Sequence, residues 1–277
     1  MKDKPSVSLI ITTYNNPSFL RLSVLSANNQ TILPNEIIIA DDGSTEETFQ
    51  EIARLKQETQ VPIVHVWQED NGFQAGKIRN IAIVAAKSEY IVQVDGDIIM
   101  ESHFIEDHLH FAAKGKLLQG SRVFIKEGKT KSLIAKDSLK LSLFTCGISR
   151  RENAFRCVKL SDYLSTRYRN RYPIYYARGA NMSYYKSDFM QVNGYDEDFV
   201  GWGHEDSDLT LRMLNNGVQK LYIKFSCVVY HLYHKEAARN LEQINKDLMN
   251  THFTSGVVYC DNGAKQYVNH IEEYIQN

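Results

Sequence analysis

Residues 90–97 read YIVQVDGD, an apolar run that stops at two carboxylates, Asp95 and Asp97, with Gly96 between them. A short continuous apolar run bounded by turn residues marks a strand buried on both faces. Residues 7–13 (VSLIITT) form a similar run ahead of Tyr14-Asn15, and residues 36–40 (EIIIA) form another ahead of Asp41-Asp42-Gly43-Ser44. A further strand is expected at 61–67. Helices are expected between these strands. The first opens at Asn16-Pro17, with Asn16 as cap and Pro17 in the first turn, and runs to about residue 29. The others span about 45–58 and 74–86. Strands alternating with helices predict an α/β fold, a Rossmann-like and mostly parallel central sheet flanked by helices with right-handed crossovers. Such sheets bind ligands at the carboxyl ends of their strands. The polar clusters after residues 12, 40 and 94 all fall at those ends, which predicts one shared site.

The rest of the chain extends this core. Its 43% hydrophobic against 23% charged residues, over 277 positions, suit one large globular domain and exclude a disordered or fibrous chain. Three stretches are expected within one continuous domain: an α/β half over 1–125, a basic and aromatic segment over 126–172 without assignable elements, and an ordered part over 173–277. Order is expected to resume at 174–185. A helix at about 205–216 ending at Gly217, a strand-like run at 220–230 and a terminal helix at about 264–275 complete the reading.

The net charge of -1 argues against nucleic acid as a partner. It conceals an asymmetry, because residues 121–172 carry thirteen Lys or Arg against four Asp or Glu. Segregation of this kind marks a surface that meets an anion. Interleaved Phe124, Phe144, Phe155, Tyr163 and Tyr168 suit docking on anionic lipid headgroups or on a lipid-diphosphate acceptor, and equally a solvated basic loop or an acceptor-side lid. Cys146, Cys157, Cys227 and Cys260 show no metal-type spacing, so reduced thiols and a cytoplasmic setting are expected. The start, Met1-Lys2-Asp3-Lys4-Pro5, lacks a leader-like apolar region. No apolar run approaches the roughly 20 residues that cross a bilayer. The expectation is a cytoplasmic protein that at most rests on the inner face of a membrane.

Two carboxylates one residue apart at a strand end can share a cation and a ribose hydroxyl, and hard oxygen ligands suit Mg2+ or Mn2+. An ordinary acidic turn fits the same residues. Asp42 and Asp41 can accept hydrogen bonds from a nucleoside base, or form a turn in which Ser44 caps the next helix. In Gly201-Trp202-Gly203-His204-Glu205-Asp206 the Trp offers a face for a sugar ring. Glu205 and Asp206 start a helix whose dipole favours their ionised form, which suits a general base for a sugar hydroxyl. Their plain alternative is decoration of a first turn. His231 ends the run Val228-Val229-Tyr230. A lone histidine there is more often structural, but neutral imidazole ligates Mn2+ well and Asp97 needs a second protein ligand. Arg79, within Gly76-Lys77-Ile78-Arg79-Asn80, has the planar fork that pairs with phosphate, or lies on a helix surface.

In this order and at these spacings the residues resemble the inverting family-two glycosyltransferases of the GT-A type. Thr13-Tyr14-Asn15, Asp41 to Ser44, Gly76 to Asn80 and Asp95-Gly96-Asp97 match that family's amino-terminal pattern. Gly179-Ala180-Asn181-Met182-Ser183, Gly194-Tyr195-Asp196 and Gly201 to Asp206 are similar to the carboxyl half of β-galactosyltransferases and of bacterial chondroitin-type polymerases. The resemblance covers about residues 6 to 234, with 126–172 its poorly matched stretch. It implies a GT-A fold with a carboxyl-terminal acceptor-side extension, a UDP-sugar donor, and a glycan or lipid-linked glycan acceptor. It assigns the nucleotide to Thr13, Tyr14, Asp41, Asp42, Arg79, Asp95 and Gly96, and the metal, Mn2+ or Mg2+, to Asp97 and His231. Trp202, Gly203, His204 and Asn181 are implied for the sugar and acceptor site. Asp206 is implied as the base and Glu205 as a ligand of sugar hydroxyls, an assignment in which the two can exchange. His204 stands where the narrower group has glycine, which bears on the choice among galactose, N-acetylgalactosamine and other hexoses. The rival readings are a glycoside hydrolase, which has no use for nucleotide-binding strand ends, and a catalytically silent nucleotide-sugar-binding module.

Overall fold

The computed structural model describes residues 4–169, 171–235 and 240–276. Met1, Lys2 and Asp3, read above as leaderless, and Asn170 of the basic segment lie outside the described residues. In chain order the elements are β1 (Val7–Thr13), α1 (Pro17–Asn28), β2 (Glu36–Asp41), α2 (Glu46–Glu58), β3 (Ile63–Trp67) and α3 (Ala75–Ala85). Next come β4 (Tyr90–Asp95), β5 (Ile98–Met100), α4 (Phe104–Phe111), β6 (Lys116–Gly120), β7 (Arg122–Ile125), α5 (Glu127–Ile134), β8 (Ile148–Ser149) and α6 (Val158–Ser165). The chain finishes with β9 (Met182–Tyr185), α7 (Lys186–Gln191), α8 (Glu205–Asn215), β10 (Gln219–Ile223), β11 (Val229–His231), α9 (Glu242–Ser255) and β12 (Ile275–Gln276).

The larger sheet has the order β10-β6-β9-β4-β1-β2-β3-β12, and its centre, β4-β1-β2-β3, is parallel. Alternate residues of these strands feed opposite layers, as the two-residue period of a strand requires. Leu9, Ile11, Ile37, Ile39, Val92 and Val94 pack with Leu20 and Val24 of α1, Ile52 of α2 and Phe104 of α4. Ile10, Ile38 and Ile91 face the other way, onto Ile78 and Ile81 of α3 and Met213 of α8. Burial on both faces is why these strands read as unbroken apolar runs. The α/β fold with flanking helices is therefore as expected, with antiparallel β9 between β4 and β6 making the sheet mixed. A second sheet, β5-β11-β7-β8, packs beside α1 through Leu22, Ile99, Val123 and Tyr230.

Local signals fared unevenly. Asn16 caps α1, its side chain accepting from the Phe19 amide at 3.4 Å, and Pro17 occupies the first turn. Ser44 does not cap α2. Its hydroxyl accepts from the Asn15 amide instead, and the helix begins after Thr45. The run at 220–230 divides into β10 and β11, which belong to different sheets. Phe225 and Cys227, with φ of 63° and 51°, turn the chain between them, and the Cys227 amide is held by Asp107. Residues 264–275 are two 3-10 turns, not a helix. Asn193 fixes the first turn by bonding the Ala264 and Lys265 amides, and β12 then pairs antiparallel with β3. Of the run at 174–185, only a 3-10 turn at 179–181 and β9 have regular structure. The basic segment contains α5, β8 and α6, and α9 is a helix the sequence pattern did not reveal.

Helix α8 is pinned by charge as well as by packing. Arg212 is fully buried, donating from Nε to Asp208 at 2.8 Å and from Nη1 to the Val192 carbonyl at 2.7 Å. His252 of α9 donates from Nδ1 to the other Asp208 oxygen at 2.6 Å. Removing one partner of such a pair leaves a buried charge uncompensated, at a cost of about 3–5 kcal/mol. Arg212→Met should lower unfolding stability by that order in a urea titration, and an unchanged midpoint would show that the pair contributes nothing net.

Candidate functional site

The turn after β4 brings the two sheets together. The Gly96 amide donates to the Thr12 carbonyl at 2.7 Å, and a Cβ at this position would sit 3.0 Å from that oxygen and 3.3 Å from the Thr13 side chain. Glycine therefore lets the Asp95–Asp97 turn lie flat against the end of β1. The Asp97 carbonyl accepts from Leu232, which docks the end of β11 beside it.

That docking assembles a set of metal-type donors. His234 Nε2 lies 2.8 Å and His231 Nε2 3.3 Å from the same Asp97 oxygen. Donor atoms of Asp97, His231 and His234 all fall within 4.8 Å of one another. The other Asp97 oxygen is buried with no hydrogen-bond partner among the described residues. One carboxylate and two imidazoles, with an orphaned oxygen among them, fit a divalent cation. Burial acts to raise the Asp97 pKa, but the His234 hydrogen bond and the charges of both imidazoles outweigh it and hold the carboxyl below its ordinary range. Burial lowers His231, favouring the neutral form that ligates, whereas the bond to Asp97 lifts His234 to about 9. His234 was missed in the sequence, although the His-x-x-His spacing at a strand end was available as a signal.

Thr13 is buried at the end of β1, and its carbonyl accepts from the Asp42 amide at 3.0 Å. Tyr14 is exposed and donates to Asp70 at 2.9 Å. Asp42 accepts from the Gln74 amide at 2.9 Å and from Gln68 at 2.5 Å, and burial pushes its carboxyl up to about 6 against those bonds. Asp41 is 0% exposed. One of its oxygens is taken by the Ser44 amide and the other by His65, so the structure seats it beneath the loop and not at its surface.

The opposite wall is the start of α8, and Arg79 of α3 joins it to β4. Arg79 is 4% exposed and donates to Asp95 at 2.9 Å, to Asp206 at 3.3 Å and to the Thr12 hydroxyl at 3.2 Å. Its Nη1 also lies 3.6 Å from Glu205. It is neither an exposed helix-surface residue nor free to serve phosphate alone. Asp206 accepts further bonds from the Gly179 amide at 2.6 Å and the Tyr195 hydroxyl at 3.1 Å. A Cβ on residue 179 would stand 2.6 Å from the Asp206 oxygen, so the close approach needs glycine. Glu205 accepts from the Gly203 amide at 3.1 Å. Burial, then the adjacent Asp206 charge, raises it to about 7 against the opposing pull of Arg79. Asp95 rises to about 6 by burial, against Arg79 and with Asp97 adding to the rise.

Trp202 and His204 are half-buried in the preceding loop. His204 adopts φ 74°, a left-handed conformation that explains why glycine suits this position. Asn181 does not face the cleft. It is buried, its amide donates to the Cys227 and Ser121 carbonyls, and its oxygen faces His108 Nε2 at 3.1 Å, so it ties the two sheets together beneath the site. Tyr195, Gln93 and Gly179, which orient Asp206, carry no chemical signature in sequence because their partners lie on other elements.

Residues 8–181 match the family model described as Glycosyl transferase family 2, and residues 162–235 match that described as N-terminal domain of galactosyltransferase. The chain is 28% identical over 225 residues to a chondroitin synthase of Escherichia coli, covering 76% of this chain and 32% of that protein. It thus spans about a third of that protein's length, and 23% of that of a hyaluronan synthase of Pasteurella multocida, to which it is 27% identical over 237 residues covering 76% of this chain. In structure it is similar to S. aureus TarS 1-349 in complex with UDP, with a TM-score of 0.61 and 15% identity over 97% of this chain and 70% of that one. These likenesses agree with the GT-A architecture.

Metal binding can be read without turnover. His234→Ala should weaken Mn2+ binding, followed by electron paramagnetic resonance of the free ion, by at least about tenfold, the low end for perturbing a metal's ligand environment. An unchanged affinity would remove His234 from the donor set.

Proposed function

This chain belongs to glycosyl transferase family 2, and on that premise we propose that it transfers a hexose from a UDP-sugar to a glycan or lipid-linked glycan acceptor in polysaccharide biosynthesis, with inversion at the anomeric carbon. The observation that carries the reading is the meeting, through Arg79, of Asp95 at a strand end with Glu205 and Asp206 at a helix start. A nucleotide-side carboxylate and two acceptor-side carboxylates in one cleft suit group transfer. The names of the relatives, a chondroitin synthase and a hyaluronan synthase, support the polysaccharide context. UDP in the similar TarS structure supports the donor.

In this reading Thr13, Tyr14 and Asp42 receive the nucleoside, and Asp95 the ribose. Asp97, His231 and His234 would hold Mn2+ or Mg2+, which when bound neutralises a diphosphate leaving group. Asp206 takes the proton of the acceptor hydroxyl as that oxygen attacks the anomeric carbon from the face opposite the diphosphate. The Gly179 amide, the Tyr195 hydroxyl and Arg79 fix the direction of the Asp206 carboxylate for that task. Glu205 binds sugar hydroxyls, and Trp202, Gly203 and His204 shape the sugar and acceptor site. Arg79 serves chiefly to hold the carboxylates, and its role toward phosphate is secondary. The reading includes a cytoplasmic setting with peripheral membrane contact through residues 121–172, supported by exposed Phe144, Phe155 and Tyr163 in that basic segment. No helix among the described residues is long and apolar enough to cross a membrane.

UDP release from a panel of UDP-sugars, with Mn2+, Mg2+ or EDTA, tests the central claim. Release should be metal-dependent and should fall at least about 100-fold in Asp206→Asn, the lower bound for a general base. Equal release by the variant would reject the assignment. Because Glu205 is raised to about 7, its carboxylate predominates only above that pH. The wild-type kcat/KM should therefore climb through about pH 7, and Glu205→Gln should lose that limb. A limb that survives belongs to another group. Flotation should recover more protein on anionic than on neutral vesicles, and equal recovery would sink the membrane contact.

A further inference from the structure

Four arginines gather beside the cleft with no carboxylate of the described residues within ion-pair distance. The arginine ion pairs of the described residues are made by Arg21, Arg54, Arg79, Arg156 and Arg212, and none involves Arg122, Arg150, Arg171 or Arg178. Their places are set by aromatic rings. Phe124 lies 5.6 Å from the His231 ring and carries Arg122 at 5.4 Å and Arg150 at 5.8 Å. Tyr172 and Tyr176 stack at 4.4 Å, with Arg171 over the first at 4.8 Å and Arg178 over the second at 5.3 Å. Each of these two arginines also donates to the hydroxyl of its own tyrosine at 2.7 Å.

The two groups form one rim. The Arg178 amide donates to the Gln119 side chain and its carbonyl accepts from it, both at 3.1 Å, which sets Arg178 at the end of β6 three residues before Arg122. Arg122, itself desolvated, accordingly feels its charge, with Asp95 and Asp97 opposing, and Tyr172 feels Arg150 as well as Arg171 and Arg178. Arg178 directly precedes Gly179, whose amide holds Asp206. The rim therefore runs from the metal-type cluster to the carboxylate proposed as base.

Like charges held together in this way repel, and among the described residues no carboxylate lies within ion-pair distance of them, with Asp95 and Asp97 offsetting Arg122 only in part. The donor does not account for them either. A nucleoside diphosphate sugar carries about two negative charges, which one divalent cation at Asp97, His231 and His234 would match. Guanidinium forks bind carboxylates and phosphates in pairs of parallel hydrogen bonds.

Resting on the transferase reading, we propose that the acceptor is an anionic sugar, whose carboxylate or phosphate seats among Arg122, Arg150, Arg171 and Arg178, guanidinium groups that Phe124, Tyr172 and Tyr176 hold in place. The rim selects the acceptor and presents its hydroxyl toward Asp206.

Calorimetry on protein saturated with UDP and Mn2+ tests this, with glucose, glucuronate and glucose 1-phosphate as probes. Both anions should bind at least about tenfold more tightly than glucose, and added salt should shrink the difference. The tighter of the two identifies the group as carboxylate or phosphate. Arg150→Gln/Arg171→Gln should lose most of the anion preference while UDP affinity stays within about twofold, since a rim contact acts on the ligand it touches. Equal affinity for glucose and the anions would overturn the proposal. So would a double variant that loses UDP and keeps the anions, because the rim would then serve the donor's diphosphate. Failure of the wild type to take up UDP is seen at the loading step, before any anion is added, and overturns the transferase reading on which this one rests.

Discussion

A single buried cation organises the cleft. Arg79 lies within 3.6 Å of Asp95, Glu205 and Asp206, groups supplied by a strand end and a helix start far apart in the chain. Bringing three carboxylates into a partly desolvated space without it would leave their mutual repulsion unopposed. Bringing Arg79 there without them would leave a buried guanidinium with little beyond the Thr12 hydroxyl and the Tyr195 ring to meet it. Each side makes the other tolerable, and the elements that carry them are placed accordingly. The elevated Asp95 and Glu205 measure how incomplete the compensation is.

The surrounding fold keeps those groups in register. Asn80, next to Arg79, bonds the Tyr195 amide and carbonyl at 2.8 Å, so one helical turn of α3 positions both the guanidinium and the tyrosine that orients Asp206. Asn181 and Gly96 do the same for the seam between the two sheets, and the seam brings His231 and His234 to Asp97. Helix α9 holds the outer side: Asn245 donates to the Val200 carbonyl beside the Trp202 loop, and His252 bonds Asp208 within α8. Residues that touch no substrate in the proposed reading thus determine where the reacting groups stand.

Much of the fold was legible because the central strands are buried on both faces and the helices between them are amphipathic, so local patterns and the packed structure agree for β1 to β4. Capping at Asn16-Pro17 was legible for the same local reason. The misreadings lie where tertiary contacts override local pattern. The run at 220–230 has strand character throughout, but positive φ at Phe225 and Cys227 sends its halves to different sheets. The segment at 264–275 has helical composition, yet Asn193 and the edge of β3 hold it as turns and a short strand. Helix α9 buries little beyond Asn245 and Met249, leaving a weak periodic signal.

The sequence by itself determined the α/β core, the placement of Thr13, Asp42, Asp95 and Asp97 at strand ends, and the pairing of Glu205 with Asp206 at a helix start, because each follows from the period and the termini of its own element. Only the tertiary structure decided what those residues face. It buried Asp41 and Asn181 within protein hydrogen bonds, turned Arg79 toward carboxylates, added His234 to Asp97 and His231, and gathered four arginines around two aromatic platforms. The partnerships of Asn181 with Cys227, Arg79 with Asp206 and Asp97 with His234 join residues far apart in the chain, and no local pattern encodes a contact made across the sheet.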